Sequence, residues 1–149
     1  MANLKRYSVV VIGCSAGGVA ALKEIFTCLP AVFPAAIIVV NHLHPHTDGS
    51  QSVASLQRLC PLTIKVADEK EEIRPATIYL APANYHLLVE HNRCLALSVD
   101  DKVNYSRPAI DVLFETAAEN YREELVGIVL TGGSQDGAAG LKKISACGG

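Results

Sequence analysis

The order of apolar and polar residues predicts three strands that are buried on both faces. They cover residues 7–12, 35–40 and 125–130, where apolar residues, many of them β-branched, follow one another with few polar interruptions. Each run is much shorter than the roughly 20 apolar residues of a helix that crosses a membrane. The three runs therefore indicate the central strands of a globular domain.

Four segments are predicted to be helices, and three of them carry apolar residues every three or four positions. Proline ends the first two segments, at Pro30 and Pro61, and Pro108 fits the first turn of the third. The fourth segment covers residues 137–146. The apolar positions of the first three helices are Val19, Leu22, Ile25, Phe26 and Leu29; Val53, Leu56, Leu59 and Cys60; and Ile110, Leu113, Phe114 and Ala117.

The middle of the chain has a different pattern, with short segments rich in β-forming residues. These segments are 77–80, 85–89 and 95–99, and His91 with Asn92 forms a plausible turn between the last two. They predict a small antiparallel hairpin element attached to the main sheet. Residues 67–74 contain a cluster of charged side chains and are predicted to form a solvated loop.

Strands that alternate with helices predict an α/β fold. The expected architecture is a doubly wound, mainly parallel sheet in a three-layer α/β/α sandwich, with the small antiparallel hairpin element beside it. A length of 149 residues predicts a single domain, residues 1–149. Half of the residues are hydrophobic and 19% are charged, a balance that excludes a disordered chain.

Charge and cysteine content narrow the functional classes. The formal net charge is −2, the basic residues are scattered and aromatic residues make up 5%, so no nucleic-acid surface is expected. The five cysteines are odd in number and form no C-x-x-C pair, which indicates reduced thiols in a cytoplasmic protein. The first residues lead directly into a strand, without the apolar segment and cleavage site of a secretory signal.

Three residues with potentially catalytic side chains follow the three buried strands. Ser15 comes after the first strand, His42 after the second and Asp136 after the third. Because ligands bind beyond the carboxyl ends of such strands, we expect the three side chains at one edge of the sheet. Serine, histidine and aspartate are the members of a hydrolytic triad. Residues 13–17, Gly-Cys-Ser-Ala-Gly, also match the G-x-S-x-G turn that exposes a nucleophilic serine before a helix.

Each of these residues also has a purely structural interpretation. Ser15 and Asp136 both precede a predicted helix and fit as its N-cap. His42 fits as a polar residue that leaves a buried strand and bonds to a carbonyl group. Cys14 is interpreted as a packing residue rather than as the nucleophile, because only Ser15 would face the substrate in such a turn.

A metal-dependent hydrolase is a further alternative. His42, His44 and His46 alternate with other residues and lead to Asp48, a run that resembles a metal-binding sequence. Catalytic zinc needs three well-placed ligands, and no second motif supports this run. The G-x-G-x-x-G pattern of dinucleotide sites and the lysine of a P-loop are absent. The sequence therefore predicts neither a metal nor an organic cofactor.

Five blocks of sequence together match one known family. In chain order they are residues 11–18, 41–42, 79–82, 107–114 and 130–140, and they extend over nearly the whole chain. In these blocks the chain resembles the catalytic domain of protein-glutamate methylesterase, the CheB enzyme of bacterial chemotaxis. The resemblance implies hydrolysis of glutamate γ-methyl esters on methyl-accepting chemotaxis receptors, together with deamidation of receptor glutamines.

The resemblance also implies the role of each triad residue. Ser15 would be the nucleophile, His42 the general base and Asp136 the acid that orients the histidine. This is the order in which the family's triad occurs along the chain. His44 has no counterpart in the role of the base.

The resemblance further implies residues that contact the substrate. Ala16, Gly17 and Gly133 would contribute to the oxyanion site, and Arg107 would bind substrate. Well-known members carry threonine in place of Ala16, methionine in place of Gly133 and a basic residue near Tyr105. These differences leave open the alternative of a receptor-binding module with the same fold and weak catalysis.

The chain is shorter than the family's full regulator at both ends. Six residues precede the first strand, so no phosphorylatable receiver domain is expected, and the family's domain continues past the position of residue 149. The strand at 125–130 is nearly all apolar and would have one open edge without a further strand. Because an open apolar edge favours pairing with another chain, we expect self-association through this edge or lower stability than in a longer chain.

Overall fold

A five-stranded parallel sheet forms the middle layer of the fold. The structure is a computed structural model and describes residues 4–15, 17–42, 49–130 and 134–149. Within these residues, the strands of the sheet are β1 (Val9–Cys14), β2 (Ala36–Asn41), β3 (Thr63–Val66), β4 (Thr77–Leu80) and β7 (Leu125–Val129). Their spatial order is β3-β4-β2-β1-β7, and all neighbours are parallel.

The two central strands, β1 and β2, are paired along their whole length. Val9 lies opposite Ala36 at one end and Cys14 lies opposite Asn41 at the other. Because successive side chains of a strand point to opposite faces, each strand contributes to two separate cores. The buried residues of β1 and β2 are Val9, Val11, Ala36, Ile38 and Val40 in one core, and Ile12, Cys14, Ile37 and Val39 in the other.

Helices cover both faces of the sheet, which confirms the predicted three-layer α/β/α architecture. They are α1 (Gly18–Thr27), α2 (Gly49–Gln57), α3 (Ile110–Tyr121) and α4 (Ala138–Ala146). Phe26 of α1 and Leu56 of α2 are buried in one core, and Phe114 of α3 and Ile144 of α4 in the other. Burying each such side chain contributes about 1.5–3 kcal/mol. The predicted position of Pro108 is wrong, because Ala109 is the N-cap of α3 and Pro108 precedes it.

The predicted hairpin is present and packs on α3. It consists of β5 (His86–Val89) and β6 (Leu95–Ser98), which are antiparallel. The N–H group of Val89 donates to Thr116 Oγ1 at 3.0 Å, and Asn120 Nδ2 donates to the Val89 carbonyl at 3.1 Å. The third short strand of this region, β4, is not part of the hairpin element, because it pairs with β2 in the main sheet.

Residues 67–74 form a loop with mostly exposed charged side chains, as predicted, but the loop is also hydrogen-bonded to the hairpin. Lys70 N–H donates to the Leu95 carbonyl at 2.9 Å, and Leu95 N–H donates to the Glu71 carbonyl at 2.8 Å. Leu97 N–H donates to Glu69 Oε2 at 2.8 Å. The charged segment therefore runs along β6 and ties the hairpin to the rest of the fold.

Strand β7 lies at one edge of the sheet. Among the described residues it pairs with β1 and with no other strand. Its burial decreases from Leu125, which is fully buried, to Val129, which is 40% exposed, so the predicted burial on both faces holds only at its start. None of the helices in the described ranges is long and apolar enough to cross a membrane.

Candidate active site

Neighbouring strand ends place Ser15 and His42 side by side. Cys14 and Asn41 are opposite each other in the β1–β2 register, and Ser15 and His42 are the next residues of their strands. His42 N–H donates to the Cys14 carbonyl at 3.0 Å, which extends the parallel pairing by one residue. Because paired strands run about 4.8 Å apart, the two residues leave the sheet as neighbours.

His42 is hydrogen-bonded to Asp136, which follows β7. The distance between His42 Nε2 and Asp136 Oδ2 is 2.8 Å. The Asp136 side chain is fully buried, and the His42 side chain is 16% exposed. The sequence-predicted contact between these two side chains is therefore present, although they are 94 positions apart in the chain.

The Asp136 carboxylate receives three further hydrogen bonds. The N–H group of Ile110 donates to Oδ2 at 2.6 Å, and the N–H group of Asp111 donates to Oδ1 at 2.9 Å. Asn104 Nδ2 donates to Oδ1 at 2.9 Å. Burial by itself would raise the pKa of Asp136, but the hydrogen bonds from His42, from the two backbone N–H groups and from Asn104 outweigh it. The pKa of Asp136 is therefore lowered, and the carboxylate is ionised at neutral pH.

The interpretation of Asp136 as the N-cap of α4 is wrong. The N-cap of α4 is Gly137, and the Asp136 carboxylate instead accepts from the first residues of α3, Ile110 and Asp111. The α4 N-terminus is satisfied by Asp111, whose Oδ1 accepts from Gly137 N–H at 3.0 Å and from Gly140 N–H at 2.7 Å. Asp136, just before α4, thus caps α3, and Asp111, in the first turn of α3, caps α4.

Sequence reasoning missed two members of this network, Asp111 and Asn104. Asp111 belongs to a matched block and carries an acidic side chain in the first turn of α3, which is a signal for a helix N-terminus. Its partners lie 26 and 29 positions away, at Gly137 and Gly140, so nothing local indicates them. Asn104 donates to Asp111 Oδ2 at 2.8 Å as well as to Asp136.

The turn after β1 leaves Ser15 outside the N-cap position. The N-cap of α1 is Gly17 at φ 78°, a left-handed conformation that glycine adopts without steric cost. Gly18 N–H donates to the Ser15 carbonyl at 2.8 Å, so the α1 N-terminus starts beside the serine. The interpretation of Ser15 as the helix N-cap is therefore wrong. Ala16 lies outside the described residues, as does Gly133.

Cys14 is a packing residue, as expected. It is 1% exposed, and a Cβ at Gly18 would lie 2.6 Å from its sulfur. Burial raises the pKa of the Cys14 thiol to about 11. The thiol is therefore protonated at neutral pH and is a poor nucleophile.

A cleft opens beside His42, and Arg107 forms part of its wall. The Arg107 guanidinium donates to Asn84 Oδ1 at 3.2 and 2.9 Å and to the carbonyls of Val99 and Asp100 at 3.0 and 3.1 Å. These four bonds engage all three guanidinium nitrogens, so Arg107 is held in the wall of the cleft by the fold. Tyr105 also lines the cleft and is fully exposed.

A metal site does not emerge from the described residues. Within them, no group of three or more histidine, cysteine, aspartate or glutamate side chains is arranged to hold an ion. His44, His46 and Asp48 lie outside the described residues.

Residues 10–149 match the family model described as CheB methylesterase. The chain belongs to the CheB methylesterase family. A putative protein-glutamate methylesterase/protein-glutamine glutaminase of Leptospira interrogans is 49% identical over 143 residues, which are 96% of this chain and 74% of that protein. The protein-glutamate methylesterase/protein-glutamine glutaminase of Thermotoga maritima is 39% identical over 144 residues, 95% of this chain and 42% of that protein.

The fold also matches a solved structure, the crystal structure of the Thermotoga maritima CheB methylesterase catalytic domain. The TM-score is 0.90 at 38% identity, over 96% of this chain and 77% of that chain. The family resemblance inferred from the five sequence blocks is confirmed. The names of these relatives describe hydrolytic enzymes, and the chain belongs to such an enzyme family.

Proposed function

We propose that this chain is a serine hydrolase that removes methyl esters from glutamate side chains of methyl-accepting chemotaxis receptors in the cytoplasm. By the same route it would deamidate receptor glutamines. The observation that carries the proposal is the 2.8 Å contact between His42 Nε2 and Asp136, beside a strand end that carries Ser15. Membership of the CheB methylesterase family supports the ester and amide substrates.

The proposed reaction begins with proton transfer from Ser15 to His42. Because His42 Nε2 is hydrogen-bonded to Asp136, the nitrogen that accepts the serine proton is Nδ1. Ser15 Oγ attacks the ester carbonyl carbon, and the oxyanion forms beside the N-terminus of α1. The tetrahedral intermediate collapses, and the leaving methoxide takes the proton from His42 as methanol. Water then attacks the acyl-enzyme, again with His42 as the base, and releases a glutamate carboxylate. Ammonia replaces methanol when the substrate is glutamine.

Backbone N–H groups would bind the oxyanion. In this proposal they belong to Ala16 and Gly17, at the start of α1, together with Gly133. Free N–H groups and the helix dipole favour negative charge at this position. In this proposal the backbone N–H groups stabilise the oxyanion, and the step requires no metal.

The electrostatics of Asp136 support its role as the orienting acid. Its lowered pKa keeps the carboxylate ionised across the neutral range, where it stabilises the imidazolium form of His42 during each proton transfer. Its hydrogen bonds with the α3 N-terminus fix the carboxylate before substrate binds.

The test is methanol release from methylated receptor, with the Ser15→Ala variant beside wild type. We expect Ser15→Ala to abolish release and to abolish labelling by a serine-directed phosphonate. Ser55→Ala, which removes the hydroxyl of an exposed serine on α2, should behave as wild type in both assays. Labelling of another residue would refute the assignment of the nucleophile.

The same assays separate the alternatives. A receptor-binding module would bind methylated receptor without methanol release and without phosphonate labelling. A metal-dependent hydrolase would lose activity in a chelator and regain it on addition of zinc, and Ser15→Ala would leave its activity unchanged.

A further inference from the structure

A buried carboxylate that the proposed reaction does not use lies next to the site. Asp111 is 6% exposed, and its carboxylate accepts hydrogen bonds from groups of the fold. Oδ1 accepts from the N–H groups of Gly137 and Gly140, and Oδ2 accepts from Asn104. Burial of a carboxylate costs free energy unless donors compensate its lost hydration, and three donors do so here.

Asp111 and Asp136 are joined in a closed ring of hydrogen bonds. The Asp136 carboxylate accepts from the backbone N–H of Asp111 at 2.9 Å. The Asp111 carboxylate accepts from the backbone N–H of Gly137 at 3.0 Å, and Gly137 follows Asp136 directly. The ring therefore fixes both the side chain of Asp136 and the peptide group that follows it.

Asn104 closes the network from outside the two helices. One amide group donates to Asp111 Oδ2 at 2.8 Å and to Asp136 Oδ1 at 2.9 Å, so each of its two hydrogens serves one carboxylate. Asn104 and Tyr105 have φ of 53° and 62°, and Val103 and Ser106 are joined by two backbone hydrogen bonds across this turn. Asparagine tolerates the left-handed region better than most residues, which suits it to this position.

We propose that Asp111 and Asn104 are positioning residues that aim the Asp136 carboxylate at His42. Within the described residues neither side chain is hydrogen-bonded to His42, so both act through Asp136. The inference rests on the proposed function, because it gives these residues a part in that reaction. The triad by itself does not explain how Asp136 is oriented, and this proposal assigns that role to Asp111 and Asn104.

The test uses Asn104→Gly, which removes the amide and keeps a residue that accepts the left-handed backbone. Lys70→Gly is the matched control, because Lys70 has φ 60° and lies outside the site. We expect Asn104→Gly to lower kcat about 10- to 100-fold, the range for a lost hydrogen bond to a charged group. KM should stay within about twofold of wild type, because substrate contacts are unchanged. Lys70→Gly should have wild-type kcat.

A second variant and a spectroscopic readout keep the test decisive. Asp111→Asn retains an acceptor for Gly137 and Gly140 but turns an amide toward Asn104, so kcat should fall in the same way. The low-field proton resonance of His42 Nε2–H should weaken in both variants and persist in Lys70→Gly. A folded Asn104→Gly protein with wild-type kcat and an unchanged resonance would overturn the proposal. If wild type itself releases no methanol, the proposed function fails, and the resonance alone still tests the positioning role.

Discussion

The Asp136 carboxylate is held by donors on both of its oxygens before any substrate binds. Among the described residues, His42 and Ile110 donate to Oδ2, and Asp111 and Asn104 donate to Oδ1. Only His42 takes part in proton transfer in the proposed reaction. Because the other donors are fixed by the fold, the carboxylate needs no reorganisation when the imidazolium forms, and such preorganisation is a large part of enzymatic rate enhancement.

The first prediction concerns Asp136→Asn. An amide in this position presents an NH₂ group to N–H donors and no longer carries the charge that stabilises the imidazolium. We expect kcat to fall by orders of magnitude, about 10⁴-fold if the effect equals that in the best-studied serine protease. Asp101→Asn, at an exposed aspartate, is the control. Near-normal turnover in Asp136→Asn would show that Asp136 only caps α3 and has no part in the reaction.

The lowered pKa of Asp136 predicts how stability depends on pH. Because the folded pKa lies below the unfolded one, Asp136 contributes stability that is fully present above the ordinary aspartate range, about pH 4. This contribution is lost as the pH falls through the folded pKa. Urea denaturation should therefore show a free-energy difference between wild type and Asp136→Asn that is constant near pH 7 and shrinks below about pH 4. A difference that grows on acidification would contradict the shift.

At the level of elements, the N-termini of α3 and α4 lie close together. A Cβ at Gly140 would lie 2.5 Å from Phe114 Cβ and 3.1 Å from Asp111 Oδ1. The two helices therefore approach closely where their N-termini exchange aspartate caps. Glycine is required at this position by packing, although alanine is the better helix former.

Gly140→Ala tests this close approach. The added methyl group should push α4 away from α3, with a loss of about 1–3 kcal/mol of stability. Activity should fall as well, since the same displacement moves Gly137 and Asp136. Thermal melting and methanol release measure the two effects, and Ser145→Ala on the exposed side of α4 is the control. A variant as stable and active as wild type would mean that the helices adjust without cost.

The elements that sequence predicted well are those whose signal is local. Nearly continuous apolar runs indicated β1, β2 and β7, and helical spacing of apolar residues indicated α1, α2 and α3. Strand β3 was missed, because it has four residues and alternates Thr63 and Lys65 with apolar positions. The aspartate exchange was missed for a different reason: its partners are 25 or more positions apart, and only the assembled fold brings them together.

At the level of the whole molecule, β7 forms an edge of the sheet that could pair with a second molecule. Among the described strands it has one neighbour, β1. Natural sheets protect such edges with charged side chains, and Val129 is instead an exposed apolar residue. The residue after Asp136 and the end of β7 are also in contact range, since a Cβ at Gly137 would lie 2.9 Å from Val129 Cγ2.

We predict concentration-dependent self-association through this edge. Light scattering should show a rise in mean mass with protein concentration, and Val129→Lys should reduce it because charge on an edge strand opposes pairing. Val32→Lys, at a residue that is 87% exposed in a loop, is the control and should have no effect. A monomer at all concentrations would show that the edge is protected in another way.

The exchange of caps between α3 and α4 has a consequence for local opening. The amide hydrogens of Ile110, Asp111, Gly137 and Gly140 are all bound by the two aspartate carboxylates. Neither helix start can open alone without releasing a carboxylate that the other helix depends on. Solvent deuterium should therefore enter these four amides at one common rate, set by the free energy of a shared opening. That rate would measure how intact the site is in the absence of any substrate.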